Sequence, residues 1–206
     1  MKRSLLTTIL SITVLLKASA QWKGGIEQYN YFNARTAGNF VPVLHIQSSK
    51  NWYAEMRYNY DNDRTGSLYV GKELSGGHQC SYSITPMIGA SIGDFKSVAV
   101  ANKTELEYKK LFVSIEAQYN QALNKDQSSF FFTWSEAGIN FSKCFFTGAA
   151  VQYTLQQGAE DFEPGIIAGV NFKNISIPIY VFSPFRRNTY LVIGLNYEYN
   201  LKTKKK

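Results

Sequence analysis

An all-β fold, an antiparallel up-and-down barrel of about twelve strands, is what this sequence predicts. Three observations carry that expectation. Apolar and polar residues alternate along most of the chain, as in the run Leu111 to Asn120, L-F-V-S-I-E-A-Q-Y-N. Side chains change sides at every residue of a strand, so such a run has one apolar and one polar face. Turn and loop residues cut the chain into strand-length pieces, and the connections alternate between short and long. No segment carries a competing helical period.

The pieces follow in order. Residues 1–20 form a leader: a cationic start at Lys2-Arg3, an apolar run from Leu5 to Leu16, and small residues at Ala18-Ser19-Ala20. This is the pattern of a secretory signal, with Gln21 the expected mature start. The first strand, 22–32, keeps its alternation least well and ends in a polar loop over 33–39. Strands 40–47 and 52–60 flank a short turn near Ser48. After Asp61–Gly66 come 67–74 and 79–91, joined near Gly76. Gly93-Asp94 leads to 97–108, and Lys109-Lys110 joins it to 111–121. The polar stretch 123–129 precedes 130–141 and 145–156, which meet at Ser142-Lys143-Cys144. The loop 157–164 precedes 165–172 and 175–182, joined by Lys173-Asn174. Residues 183–188 lead to the final strand, 189–200, and a basic tail closes the chain at 202–206.

Two turns test the register. With Lys109-Lys110 as a two-residue turn, Tyr108 opposes Leu111, Leu106 opposes Val113 and Thr104 opposes Ile115, all on one mainly apolar face. Lys173-Asn174 likewise sets Phe172 against Ile175, Val170 against Ile177 and Ala168 against Ile179. Size agrees: membrane strands of about 9–11 residues plus connections give about 15 residues per unit, and the mature chain then holds about twelve. Pro42, Pro86 and Pro178 fall inside these strands and call for a bulge or a shifted boundary, because a closed barrel has no edge to hide a missing N–H.

Charge excludes one class of partner. The formal net charge is +7, but Lys2, Arg3 and Lys17 leave with the leader, and Lys202, Lys204, Lys205 and Lys206 sit in the tail. The body is then neutral, so no nucleic acid is expected as a partner. Cys80 and Cys144 fall on separated strands and are not expected to pair. No metal or cofactor is implied, since neither cysteine has a ligand partner at suitable spacing.

A soluble sandwich or barrel would alternate too. Three features favour lipid around the apolar face. The face Leu191-Ile193-Leu195-Tyr197-Tyr199-Leu201 is long. Aromatics gather towards strand ends at Trp22, Trp52, Tyr58, Tyr60, Tyr108, Phe145 and Tyr197, as an interfacial girdle does. The opposite face carries Glu55, Arg57, Lys103, Glu105, Glu116, Glu136 and Glu198 in mid-strand, which suits a wet lumen. On these residues, and on the alternating, aromatic-ended last strand Tyr190 to Tyr199, the chain resembles the small outer-membrane β-barrels of Gram-negative bacteria over residues 22–201. The resemblance implies an outer-membrane location, lipid around the barrel, and handling of the last strand by the barrel-assembly machinery. The basic tail departs from the usual aromatic C-terminus.

No catalytic constellation appears. His45 and His78 are the only histidines, both towards the tight turns, and a nucleophile without a base in reach is not a site. The chain is expected not to be an enzyme. Asp61-Asn62-Asp63-Arg64-Thr65-Gly66 opens like a calcium loop, but Lys72 stands where the closing Glu belongs, so it reads as a polar turn. The seven mid-strand charges are the best lead, and Lys103 stands opposite Glu116. At the outer mouth, Glu160, Asp161 and Glu163 are expected to face Arg186 and Arg187 across the rim. The function expected is a narrow passive pore for small polar solutes with a mixed-charge lumen. The alternatives are a closed structural or interaction barrel, and less so a soluble periplasmic barrel.

Overall fold

The computed structural model describes residues 22–33 and 36–201 of the 206-residue chain. The leader, 1–20, and the basic tail, 202–206, lie outside the described residues. The strands are β1 (Trp22–Asn33), β2 (Thr36–Gln47), β3 (Trp52–Tyr58), β4 (Thr65–Lys72) and β5 (Leu74–Gly76). They continue with β6 (Cys80–Gly93), β7 (Ser97–Tyr108), β8 (Leu111–Ala122) and β9 (Phe130–Asn140). The last four are β10 (Phe145–Gln156), β11 (Ala159–Phe172), β12 (Ile175–Phe182) and β13 (Tyr190–Leu201). Each except the β4–β5 couple pairs antiparallel with its neighbour in sequence, β1 pairs with β13, and β4 pairs with β6, which closes the sheet into a barrel.

β4 and β5 are one stave in two pieces. Both pair with β6 in a single register, Gly71↔Met87 and then Leu74↔Ile84. The gap between them lies opposite Thr85 and Pro86, where proline has no N–H to give. Glu73 instead donates its N–H to the Asn51 carbonyl at 2.9 Å. Twelve staves therefore surround the lumen. The other two strand prolines also sit at ladder breaks. Pairing of β2 with β3 begins at Val43, one residue past Pro42. The β12–β13 ladder skips Ile177 and Pro178, whose ring packs against Gly194. A shifted boundary or interrupted ladder, not a bulge, accommodates each one.

Both hairpins used to test the register pair as expected, down to Tyr108↔Leu111 and Phe172↔Ile175. The faces follow. Ile88 and Ile92 on β6 are 71% and 73% exposed, and Val100, Leu111, Ile115, Ile179, Leu195 and Tyr197 also point out of the barrel. Glu55 and Arg57 on β3 are each 1% exposed, and Tyr69, Gln118 and Asn120 are equally buried inside it. Apolar outside and polar inside inverts a soluble protein, and only hydrocarbon around the wall makes that arrangement stable.

Several boundaries differ from expectation. β2 starts at Thr36, so the first loop is shorter than 33–39. The stretch 157–164, expected to be a loop, is mostly strand: β10 and β11 pair out to Gln156↔Ala159, leaving only Gln157-Gly158 as the turn. Tyr60, expected in the outer aromatic girdle, turns inward, because Asn59 takes a left-handed φ of 57° and breaks the alternation. Cys80 and Cys144 are both exposed free thiols.

Candidate functional site

The interior is where the ionisable side chains meet, and strand parity puts them there. Glu55 and Arg57 stand two residues apart on β3, so both point inward. Lys103 on β7 lies directly opposite Glu116 on β8. Arg57 Nε donates to Glu55, and Arg57 Nη1 reaches Glu116 Oε1 at 2.6 Å. Lys103 Nζ reaches Glu55 Oε2 at 2.5 Å across the lumen, closer than its cross-strand neighbour Glu116 at 3.7 Å. Two cations and two carboxylates alternate in a closed lattice. Each charge faces two opposite ones, which is how a desolvated set offsets the cost of leaving water.

Hydrogen bonds extend the lattice towards the loop end. Tyr53 donates to Glu55 at 2.5 Å, and Arg57 Nη1 donates to Gln118 Oε1 at 2.8 Å. Gln118 Nε2 passes a bond to Asp61 Oδ1 at 2.8 Å. Asp61, read from sequence as part of a polar turn, is buried and also accepts from Ser67, from Ser91 at 2.9 Å and from Tyr69 at 3.2 Å. These donors come from β4, β6 and β8, so Asp61 pins the Asn59–Arg64 loop inside the barrel. The Arg57 guanidinium lies 4.5 Å from the Tyr60 ring centroid and 4.4 Å from that of Tyr69, within cation–π range.

A third group sits at the turn end. His45 Nε2 is 3.1 Å from Glu198 Oε1, and His45 Nδ1 is 3.5 Å from Glu27 Oε1. Gly25 makes the space: a Cβ there would stand 2.5 Å from His45 Cε1. Across the lumen the wall is aromatic. Trp134, Tyr180 and Phe182 pack with Phe146, Ile167 and Val192, and Tyr180 donates to Glu136 at 2.8 Å.

Between these groups lies a chamber of about 250 Å³, bordered by six of the seven anticipated residues: Glu55, Lys103, Glu105, Glu116, Glu136 and Glu198. Arg57 is packed beside it, not on its surface. A vestibule of about 300 Å³ at the loop end shares Tyr60 with the chamber, and one of about 290 Å³ at the turn end shares Glu105 and Ser114. Tyr60 and the Glu105–Ser114 pair therefore stand between the chamber and the two vestibules.

The rim departs from expectation. None of Glu160, Asp161, Glu163, Arg186 and Arg187 joins an ion pair among the described residues. Glu160 and Asp161 belong to β11 and its ladder with β10, while Glu163 accepts from the Tyr190 hydroxyl at 2.8 Å. Arg186 and Arg187 remain exposed on the β12–β13 loop. Glu27, Asp61, Tyr53, Tyr60, Tyr69 and Gln118 were not anticipated in the site. Parity with Glu55 and Arg57 could have placed Tyr53, and parity with Glu116 could have placed Gln118.

No protein-family model matches the chain, and no curated protein matches it in sequence. Solved structures match it in shape. The KdgM porin in complex with disordered oligogalacturonate superposes with a TM-score of 0.60 at 13% identity, covering 84% of this chain and 98% of that one. The NanC porin gives 0.57 at 8% identity, covering 85% and 100%. A second structure of the KdgM porin gives 0.58 at 13% identity, covering 84% and 98%. The chain has the fold of the small outer-membrane porins, a closed transmembrane barrel of twelve staves.

Proposed function

We propose that this barrel is a narrow passive channel for small polar solutes in the outer membrane of a Gram-negative bacterium, reached by way of the leader at 1–20. The supporting observation is the polar chamber with a vestibule at each end, each sharing wall residues with it. The loop end would face outward and the turn end, with both strand termini, the periplasm. Lipid would cover the apolar wall, and β13 would be the segment handled by the assembly machinery. The chemistry offered is electrostatic, not catalytic: ionisable groups replace part of a solute's hydration as it passes. The acidic chamber argues against the polyanionic oligogalacturonate named for the KdgM complex, so the solute class differs here.

A closed structural barrel is the second reading. The aromatic pack around Trp134 and the Asp61-anchored loop, both inside the barrel, favour it. Purified barrel in a planar bilayer separates the two. Steady single-channel steps support the channel, whereas correctly folded insertion without current would replace it with the structural reading.

A further inference from the structure

The chamber holds more negative than positive charge. Glu27, Glu55, Glu105, Glu116, Glu136 and Glu198 border it. Against these six carboxyl groups stand two fixed cations, Lys103 on the wall and Arg57 beside it, leaving a formal excess of four acidic groups, or three when His45 is protonated. Both cations are already engaged by Glu55 and Glu116. Glu105 and Glu136 form no ion pair with a cation among the described residues, and Glu136 accepts from the Tyr180 hydroxyl.

A separate feature of the same wall points to what a ligand must offer. Trp134 is 7% exposed and borders the chamber, and its buried Nε1 has no hydrogen-bond partner of good geometry. Asn196 Oδ1, on the same chamber, is buried and also without a partner. A buried donor and a buried acceptor left unpaired each carry a desolvation cost that a ligand partner would remove. A hydroxyl both donates and accepts, so a hydroxylated solute answers both. The rings of Tyr29 and Tyr180 lie 5.4 and 5.1 Å from that of Trp134 and complete an aromatic wall, a surface that attracts cations and stacks on sugar rings.

Resting on the channel reading, we propose that this chamber recognises small hydroxylated amines in their ammonium form, amino alcohols or amino sugars, and makes the channel cation-selective. The ammonium group lies among Glu105, Glu136 and Glu198, and the hydroxyls meet Trp134 and Asn196. A low-dielectric cavity lined by one sign of charge concentrates counter-ions and repels the opposite kind.

The test uses the purified full-length barrel in a bilayer of neutral phosphatidylcholine under a tenfold KCl gradient. The reversal potential is expected to give K⁺ over Cl⁻ permeability of about ten, the low end of concentration by a single-sign cleft. Glucosamine hydrochloride added to one side is expected to reduce the K⁺ current in a dose-dependent way, and glucose at equal concentration to do so far less. The double variant Glu105→Gln with Glu136→Gln is expected to bring the permeability ratio towards one and weaken the block, with heat-modifiable gel mobility unchanged. Conducting wild-type channels with no preference or an anion preference overturn the proposal alone, as does equal block by glucose and glucosamine. A folded, inserted barrel that carries no current overturns the channel reading and the proposal with it.

Discussion

Arg57 is sealed between two tyrosine rings and two carboxylates, and that enclosure determines what its loss does. Arg57→Met removes one member of a desolvated lattice and leaves Lys103 to serve both Glu55 and Glu116. We expect the variant to lose about 3 kcal/mol, the lower range for breaking a buried ion pair, measured as the urea midpoint of the refolded barrel. Exchanging Glu55 and Arg57 together for Met should cost less than either change alone, because no uncompensated charge remains. A double variant less stable than both singles would show that the lattice is not the unit. Asp61 has a different task. Asp61→Ala removes the acceptor shared by Ser67, Tyr69, Ser91 and Gln118, so the Asn59–Arg64 loop should leave the lumen. Larger and noisier single-channel currents are the expected outcome, while unchanged current amplitude and noise would remove Asp61 as the anchor. At this scale the sequence showed Glu55, Arg57, Lys103 and Glu116, because simple alternation places all four. Asp61 shares the parity of Glu55 and Arg57 but lies past the strand end in a polar turn, where alternation gives no direction, and Tyr60 was hidden because the left-handed Asn59 turns it inward.

The hairpins tell how much of the register is local. Lys109 and Lys173 open two equivalent turns, each with a φ of 55°, a region that costs a residue with a Cβ about 1–2 kcal/mol. Asparagine tolerates it better. Lys109→Asn should therefore recover part of that cost and stabilise the barrel without changing conductance, read again from the denaturation midpoint. A destabilised variant would mean that Lys109 makes a favourable contact stronger than its backbone strain. Both registers were legible because a two-residue turn allows one in-phase pairing and parity checks it. The β10–β11 extension was not. Glu160, Asp161, Glu163 and Pro164 all disfavour strands, and here the ladder offered by β10 overrides that preference. The prolines were seen but not resolved, because whether a missing donor breaks a ladder depends on its partner across the sheet.

Seen whole, the molecule keeps its oils outside, and a charge placed there has nowhere to go. Ile115→Arg, near the middle of β8, should cost about 2–4 kcal/mol in a folding measurement from urea into phospholipid vesicles. Ser114→Arg, facing the lumen one residue away, should cost far less and act on conductance instead. Equal penalties at both positions would contradict the assignment of faces. Strand number was readable from length alone, since the short connections leave little chain unaccounted for. The degree of filling was not, because the stretch Phe130-Phe131-Phe132-Thr133-Trp134 is aromatic on both faces and hides which rings turn in. One margin of the sheet stays open: β5 has a neighbour on a single side, and it is three residues long. So brief a row of free amides and carbonyls cannot template the addition of another chain, so the protein can project a lip from its rim and still resist stacking into fibrils.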